Sequence, residues 1–578
     1  MSLSATINAA RTALNVSSLG LQIAGNNMAN VATPGYSRQI AQLKALAGAR
    51  SGGFGIGAGV GVADVQRKVD EALLRRLRAG ISDEHAASSK VATFSQLESI
   101  LNELTGFDLS TDLNSFFGVW SEATSLLESG SVVIEQGVKM SGSIQNLREE
   151  MVQLRRQVED QIDQGANAAN QMLAEIARLN VQITSSEIGQ TQASALRDQR
   201  DQLVAELSTM VDVTAVEDGQ GSLDILIGST PVIIGGENRG LDIERRTNDA
   251  GQLEVLVVVD QDRTPLRVEG GQLGGLLASR DGAIDRAIED LDTLAGQLIF
   301  EVNKLHSTGS SRVGYSSVTS SLQVPQADRS LALNDPTNTA LSQLPFGAEN
   351  GGFYVNVRNE TTGSSDTVWV EVDLDGIDNT GAQGFGDDTS AEDIRAAIDG
   401  VDGLRATWSA DGRLEIAGET GFTFSFSEDS SSSLAVLGVN SYFEGTNGKN
   451  IKVRDSLVSN PSDLALGRWE GGSYVENGTA LGIARLQEAD LAGLKGRTPS
   501  EFWGDAVQSV AVTSATAYTE ANATAIVRES LESQRSAMSG VSLDEESINL
   551  VTFQQQYQGA ARVIQIADQL TQELLNLV

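Results

Sequence analysis

The two ends of this 578-residue chain carry the same pattern, in which apolar or small residues recur at alternating steps of three and four. Such spacing keeps a narrow seam on one side of an α-helix, and a seam helix needs a partner. We therefore predict that the terminal helices pair with each other, as the ends of a long antiparallel hairpin. Two amphipathic helices packed on an ordinary globular core are the alternative. The N-terminal seam comprises Leu3, Ile7, Ala10, Leu14, Ser17, Leu21, Ala24 and Met28, and the C-terminal seam comprises Leu550, Phe553, Tyr557, Ala560, Ile564, Ala567, Leu570, Leu574 and Leu577.

A polar run follows the N-terminal seam and reads GNNMANVATPGYSRQ over residues 25–39. Pro34 disfavours helical geometry at Thr33, and Gly35 permits a turn, so the first helix is predicted to end here. The side chains of Asn26, Asn27 and Asn30 can bond nearby backbone and neighbouring polypeptide.

This run, taken with residues 539–546 (SGVSLDEE) and 557–564 (YQGAARVI), closely resembles the terminal signatures of the bacterial flagellar rod, hook and hook-associated proteins. The Tyr36-Ser37-Arg38-Gln39 ending is most similar to the hook-associated members. The resemblance implies a structural, non-enzymatic component that joins hook to filament and self-assembles as a ring or helical oligomer. It also implies secretion through the flagellar type III export apparatus, and an extracellular position at the hook–filament junction. The implied partners are other copies, hook protein, a second junction hook-associated protein and an export chaperone on the C-terminal helix.

Composition narrows the classes of function. The net charge of −36 makes nucleic acid and anionic membranes poor partners. Without cysteine there is no disulfide, thiolate nucleophile or cysteine metal site. The N-terminus lacks the basic and apolar regions of a cleavable signal, and no apolar run is long enough to span a bilayer.

Periodicity along the chain changes from helix to strand twice, so the fold class is multi-domain α+β. We predict a discontinuous, elongated hairpin with terminal coiled-coil helices, a helical-bundle stalk and inserted antiparallel β-rich outer domains. The predicted segments are 1–42 (N-terminal coiled-coil half), 43–210 (helical stalk), 211–269 (small β module), 270–311 (stalk return), 312–476 (outer β-rich domain), 477–539 (last part of the stalk) and 540–578 (C-terminal coiled-coil half, pairing with 1–42).

Motifs for chemistry are weak, and we predict no catalytic residue, cofactor or metal site. The glycine run at 52–61 lacks the spacing of a phosphate loop. The acidic run 373–378 fails the EF-hand template. His85 and His306, the only histidines, are interpreted as a solvated residue and a local helix cap. A capping box is predicted at Thr389–Glu392.

The predicted functional surface is instead an assembly interface at the two termini. Its residues are Leu3, Ile7, Leu14, Leu21, Asn26, Asn27, Met28, Asn30, Pro34, Gly35, Tyr36, Arg38, Leu550, Phe553, Tyr557, Arg562, Ile564, Leu570 and Leu574. Three alternatives stay open at this point. Hook or distal rod protein belongs to the same class, whereas a secreted adhesin or a cell-wall hydrolase belongs to others.

Overall fold

The structure is a computed structural model. It describes residues 3–47, 50–51, 54–55, 57–101, 108–126, 130–187, 192–247, 253–377 and 380–576. Gly52, Gly53 and Ile56 of the glycine run, Asp378 of the acidic run and Leu577 of the C-terminal seam lie outside these residues, as does the side chain of Leu574.

Helices occupy both ends of the chain and much of its middle. The α-helices are α1 (Leu3–Ala29), α2 (Glu71–Leu101), α3 (Leu109–Ala123), α4 (Gly130–Ser186), α5 (Ser194–Met210), α6 (Gly271–Ser279), α7 (Asp285–Ser307), α8 (Ala391–Asp399), α9 (Ser433–Val436), α10 (Asp455–Ser459), α11 (Gly478–Arg485), α12 (Pro499–Ser539) and α13 (Leu543–Asn576). A π-helical turn (Arg280–Ile284) links α6 to α7, and short 3-10 turns lie at Pro461–Asp463, Leu486–Glu488 and Ala492–Leu494.

The strands form several small sheets in which every pairing is antiparallel across the described residues. They are β1 (Gln39–Ala45), β2 (Arg50–Ser51), β3 (Phe54–Gly55), β4 (Val60–Arg67), β5 (Val213–Glu217), β6 (Leu223–Ile227), β7 (Thr230–Ile234), β8 (Glu237–Asn238), β9 (Leu241–Thr247), β10 (Leu253–Val259), β11 (Gly309–Ser310), β12 (Ser317–Thr319), β13 (Gly351–Asn359), β14 (Ser365–Val372), β15 (Leu404–Trp408), β16 (Leu414–Gly418), β17 (Phe422–Ser427), β18 (Phe443–Glu444), β19 (Lys452–Val453), β20 (Gly467–Glu470) and β21 (Ser473–Val475).

The chain divides into two compact units, and the first comprises residues 1–93, 157–281 and 514–578. It holds both chain ends, the β1–β4 ribbon, the β5-β6-β7-β8 sheet and the β9–β10 hairpin. Asn180 of α4 is fully buried, and its side-chain amide donates to the carbonyls of Leu223 and Gly235. That amide therefore supplies hydrogen bonds to the loop backbone of the small sheet inside an apolar core, where unpaired carbonyls would be costly.

The second unit comprises residues 94–156 and 282–513. Its β-rich part contains the sheets β14-β13-β17 and β12-β16-β15 around one hydrophobic core. Alternation along β13 buries Phe353, Val355 and Val357 in that core. Helix α8 closes the same core with Ile394 and Ile398.

The predicted mixed fold, with long terminal helices and small antiparallel sheets, is confirmed, while the division into seven segments stays a prediction. Two local expectations are wrong. The capping box lies one residue later than predicted, because the Ser390 hydroxyl accepts from the amide of Asp393 and the Asp393 carboxylate accepts from the amide of Ser390.

His306 is a core residue and not a helix cap. Its imidazole is fully buried, and Nδ1 lies 2.7 Å from the carbonyl oxygen of Asn440. The Asn440 side chain returns a hydrogen bond to the His306 carbonyl at 2.9 Å. This burial lowers the pKa of His306 to about 4. The interpretation as a cap used only the position of the histidine near a helix end, which carries no information about residues 134 positions away.

Candidate functional site

Asn27 joins the first helix to the polypeptide that follows it and to the last helix. Its side chain is 1% exposed. The amide nitrogen donates to the Gln39 carbonyl at 2.9 Å and to Glu546 Oε2 at 3.2 Å. The amide oxygen accepts from the Tyr36 hydroxyl at 2.8 Å and from the Gln39 amide at 3.0 Å. Both donors and both acceptor sites of the buried amide are used, which is the condition for burying it without penalty.

Glu546 is the other centre of this cluster. It is 2% exposed, and Arg38 supplies its counter-charge through Nε at 2.8 Å and Nη2 at 2.7 Å. Arg38 also contacts the exposed carboxylate of Glu545 at 2.7 Å. A buried carboxylate is tolerated when it is paired and hydrogen-bonded, as this one is by arginine and asparagine together. We call Asn27, Tyr36, Arg38 and Glu546 the terminal clasp.

The beginning of α13 is suited to placing the Glu546 carboxylate in the terminal clasp. Asp544, Glu545 and Glu546 form its acidic first turn, where the helix dipole favours negative charge. The Ser542 hydroxyl accepts from the Glu545 amide at 3.4 Å, and the Arg38 amide donates to the Ser539 carbonyl at 3.1 Å. The acidic motif noted in the sequence is therefore a helix start that presents one of its carboxylates to the clasp.

Helix α5 binds Ser37, which lies between the clasp residues Tyr36 and Arg38 in the sequence. The Asp198 carboxylate accepts from the Ser37 amide at 3.2 Å and from Arg67 at 2.9 Å. Arg67 also contacts Asp201 at 2.7 Å. Burial, together with the carboxylates of Asp198 and Glu546, raises the pKa of Tyr36 to about 12, so its hydroxyl stays protonated as the donor to Asn27.

The paired helices α1 and α13 run antiparallel, since Asn27 meets Glu546 while Gly20 meets Phe553. The predicted pairing of the termini is present. Apart from Val16, Asn27 and Glu546, the buried residues of the two helices are small. They are Ala10, Ser17, Gly20 and Ala24 on α1, and Ala560 and Ala567 on α13. Small side chains let the two backbones approach closely.

Phe553 is the large side chain of this contact. A Cβ atom built on Gly20 would lie 2.6 Å from two atoms of the Phe553 ring and 2.7 Å from Cγ. The ring therefore occupies the space that only a glycine leaves open on α1.

The structure sorts the predicted interface residues into three groups. Asn27 is buried, and those that are half-buried are Leu3, Ile7, Leu14, Leu21, Met28, Asn30, Gly35, Tyr36, Arg38, Leu550, Phe553 and Ile564. Those that are exposed are Asn26, Pro34, Tyr557, Arg562 and Leu570. Apart from Phe553, which packs against Gly20, the large seam residues are thus only partly covered, and the buried residues between them are mostly alanine, serine and glycine.

Sequence reasoning missed Val16, Gly20 and Glu546 as members of this site, although Val16 and Glu546 are buried and Gly20 meets Phe553. A signal for Glu546 was available, because Glu546, Phe553, Ala560 and Ala567 recur every seven residues. A carboxylate in an apolar register is informative, since it needs a partner on the facing helix.

A second face of α13 remains apolar and exposed. Ile548 is 67% exposed and Ile566 is 52% exposed. At about 100° per residue, Ile548 lies about 200° around the helix from Glu546 and points away from α1, whereas Ile566 lies about 100° from Ala567, to the side of the α1 contact. Val551 and Leu570 are also exposed.

One carboxylate cluster has spacing that could hold a cation. Oxygens of Asp373, Asp375 and Asp388 lie within 4.8 Å of one another. The Asp388 oxygens accept from the Gly376 amide at 3.2 Å and from the Asn334 side chain at 2.7 Å. We assign this cluster a role in closing the turn. Among the described helices, none is both long and apolar enough to cross a membrane.

Comparisons with known proteins agree with the resemblance of the termini. The profile described as "Flagellar hook-associated protein FlgK helical domain" matches residues 94–316, and "Flagellar basal body rod FlgEFG protein C-terminal" matches residues 532–577. Flagellar hook-associated protein 1 of Salmonella typhimurium is 27% identical over 600 residues, with all of both chains covered. The Escherichia coli K12 protein of that name is 26% identical over 605 residues, again with full coverage of both chains.

The Bacillus subtilis protein of that name is 23% identical, covering 99% of this chain and 97% of its own. A solved structure of the hook junction protein FlgK from Burkholderia pseudomallei aligns with 80% of this chain and 100% of its own, at 14% identity and a TM-score of 0.48. The full-length matches, together with the helical-domain and C-terminal profiles, show that this chain is similar along its whole length to flagellar hook-associated protein 1.

Proposed function

We propose that this protein is a structural component of the bacterial flagellum that joins the hook to the filament by self-assembly through its paired terminal helices. The observation that carries the proposal is the exposed apolar face of α13, outside its contact with α1. Burying such a face against further copies gains about 25 cal/mol for each Å² of apolar surface. A ring or helical array repeats that gain at every subunit.

The terminal clasp gives this assembly its geometry. A helix pair joined only by alanines could slide by one heptad, since alanine follows alanine along the seam. The Asn27–Glu546 and Arg38–Glu546 contacts are satisfied in one register alone, because sliding would leave a buried carboxylate without its partners. In the proposed function the clasp fixes which apolar residues of α13 face the neighbouring copy.

The proposed partners are those that the resemblance of the terminal motifs implies. They are further copies of this chain, hook protein, a second junction hook-associated protein, the type III export apparatus and an export chaperone that holds the C-terminal helix. The proposed location is extracellular, at the hook–filament junction. Similarity to a set of structural components supports a non-enzymatic role.

The first test is electron microscopy of the producing bacterium with this gene deleted, together with an assay of flagellin in the medium. We expect bare hooks and flagellin lost to the medium. Rods without hooks would move the protein to the hook or distal rod class. Normal filaments would contradict the proposal and reopen the adhesin and wall-hydrolase alternatives.

A second test addresses the apolar face itself. Ile566→Ser should abolish or strongly reduce filament attachment while leaving the fold of the isolated chain intact, because Ile566 is exposed in the single chain. Val458→Ser is the matched control, since Val458 is a similarly exposed apolar residue on α10, outside the terminal helices. Wild-type motility of the Ile566 variant would show that this face does not bind a neighbour.

A further inference from the structure

A concave pocket lies on the β-rich part of the second unit, away from the terminal helices in sequence. Its volume is about 390 Å³, within the range of small-molecule sites. The face of the β14-β13-β17 sheet forms one wall, and the turn at Gly471 and Gly472 between β20 and β21 contributes another. Alternation on β13 decides which residues face the pocket: Phe353 and Val355 enter the core, so the intervening side chains point the other way.

The pocket wall carries hydroxyl and amide groups where an outward sheet face usually carries charges. Register places Asn356 of β13 beside Thr367 of β14 and Ser425 of β17. The Asn356 side chain accepts from the Thr367 hydroxyl at 3.0 Å and donates to the Ser427 hydroxyl at 2.9 Å. These bonds fix the orientation of the amide, so the wall presents a preorganised polar surface.

One buried donor in this wall, Nε of Arg358, has no hydrogen bond among the described residues. Ser425, which is 3% exposed, lines the same pocket with its hydroxyl-bearing side chain. Arg358 lines the same pocket, and its Nε lies 3.5 Å from a carboxylate oxygen of Glu360. Buried donors are normally satisfied, so an acceptor from a ligand is missing here.

Aromatic rings complete the lining. Tyr354 of β13 and Trp469 of β20 both line the pocket. Trp469 packs against Tyr474 in a tilted contact, with ring centroids 5.5 Å apart and an angle of 59° between the ring planes. Rings of this kind offer a flat apolar surface with a polar edge, which suits ligands that are partly apolar and partly hydrogen-bonding.

The rim of the pocket includes a residue with strained backbone geometry. Glu428, directly after β17, has a φ of 52°, a left-handed conformation that is unfavourable for a residue with a side chain. Its carboxylate accepts from the Gly471 amide at 3.1 Å and so ties the β20–β21 turn to the sheet. Strain of this sort is found where surrounding structure holds a binding or catalytic surface in place.

From this geometry we infer that the pocket binds an acidic saccharide, with a sugar carboxylate on the Arg358 guanidinium and sugar hydroxyls on the Ser425–Asn356 wall. The planar guanidinium matches a carboxylate through two parallel hydrogen bonds. An extended peptide fits less well, because peptides add to free strand edges. The strand at the centre of this wall, β13, is already paired with β14 and β17 on both sides.

Isothermal titration calorimetry on the full chain tests the inference, with digalacturonic acid as the probe. Its dimethyl ester is the uncharged counterpart, and triglutamate is a carboxylate ligand without sugar rings. We expect binding of the acid, with affinity about tenfold or more weaker for the ester, since the ester loses the charge-assisted pair. Binding of triglutamate as tight as that of the acid would overturn the saccharide assignment, as would the absence of binding by the acid.

Variants locate the binding. Arg358→Gln should weaken the binding of digalacturonic acid by about tenfold or more. Arg358→Lys, which keeps the positive charge, should retain part of the affinity that Arg358→Gln loses. Arg405→Gln is the matched control for charge, because Arg405 lies on β15, is 71% exposed and does not line the pocket. Circular dichroism of each variant verifies the fold. Equal affinity of the Arg358→Gln and Arg405→Gln variants for digalacturonic acid would overturn the assignment of this pocket as the binding site.

Discussion

Gly20→Ala tests the packing of the terminal helices most directly, and Gly25→Ala on the same helix is its control. A Cβ on Gly25 would meet nothing within 4 Å, whereas a Cβ on Gly20 would lie 2.6 Å from the Phe553 ring. Both substitutions replace a helical glycine by alanine, and each gains about 1 kcal/mol of helix propensity. Their difference therefore isolates the contact with Phe553.

The clash at Gly20 has no cheap relief. Rotation of the ring about its own axis moves the edge atoms but not Cγ, which would itself be 2.7 Å from the new methyl group. Either Phe553 leaves its rotamer or α13 moves away from α1. Overpacking of this kind costs about 1–3 kcal/mol. We expect the Gly20 variant to be less stable than the Gly25 variant by that amount in the α1–α13 contact.

Native-state hydrogen exchange of the α13 amides around Phe553 measures this difference, because it reports local opening of one helix pair. The expected cost corresponds to exchange about 5–150-fold faster in the Gly20 variant than in the Gly25 variant. Adding Phe553→Leu to both variants should shrink the difference, since the smaller side chain makes room. Equal exchange in the two single variants would refute the predicted close contact.

Two further pairs of substitutions test buried groups. Glu546→Gln should lower the free energy of unfolding by about 1–3 kcal/mol, because the buried donors of Asn27 and Arg38 lose the carboxylate that accepts from them. Glu545→Gln, at a side chain that is 61% exposed, should change it by less than about 0.5 kcal/mol in urea titrations. The pKa of His306 is about 4 in the folded protein and 6.5 in the unfolded chain. The contribution of His306 to the free energy of unfolding is therefore fully present above pH 6.5 and falls by about 2 kcal/mol by pH 5. Urea titrations at pH 7.5 and 5 should show this loss in the wild type and in His85→Gln, and a smaller loss in His306→Gln; equal losses in all three would contradict it.

Much of the architecture was predictable because periodicity reports which side of an element is buried. The steps of three and four gave both terminal helices, and Pro34 with Gly35 gave the end of the first, which the structure places at Ala29. Strand alternation likewise indicated both β-rich blocks. The terminal motifs were enough to suggest the family, because their polar residues are unusual at the end of an apolar seam.

Periodicity could not identify the contacts within the seam. Leu14, Ser17, Leu21 and Ala24 were all predicted to lie in the seam, and the structure buries Ser17 and Ala24 together with Gly20, which was not predicted, while Leu14 and Leu21 are half-buried. The reason is steric: Phe553 on the opposing helix needs an open space, and only a partner's side chain reveals that need. The sequence contains both residues, but it does not show that they come into contact.

The sequence by itself thus predicted most types of element, favoured the pairing of the chain ends and showed the resemblance to the flagellar axial proteins. Tertiary structure alone decided that Asn27 meets Glu546, 519 residues away, and that His306 is a buried core group. It alone decided that Arg358 and Ser425 share one pocket wall. Local patterns follow from the backbone geometry of single helices and strands, whereas these contacts depend on packing between elements far apart in the chain.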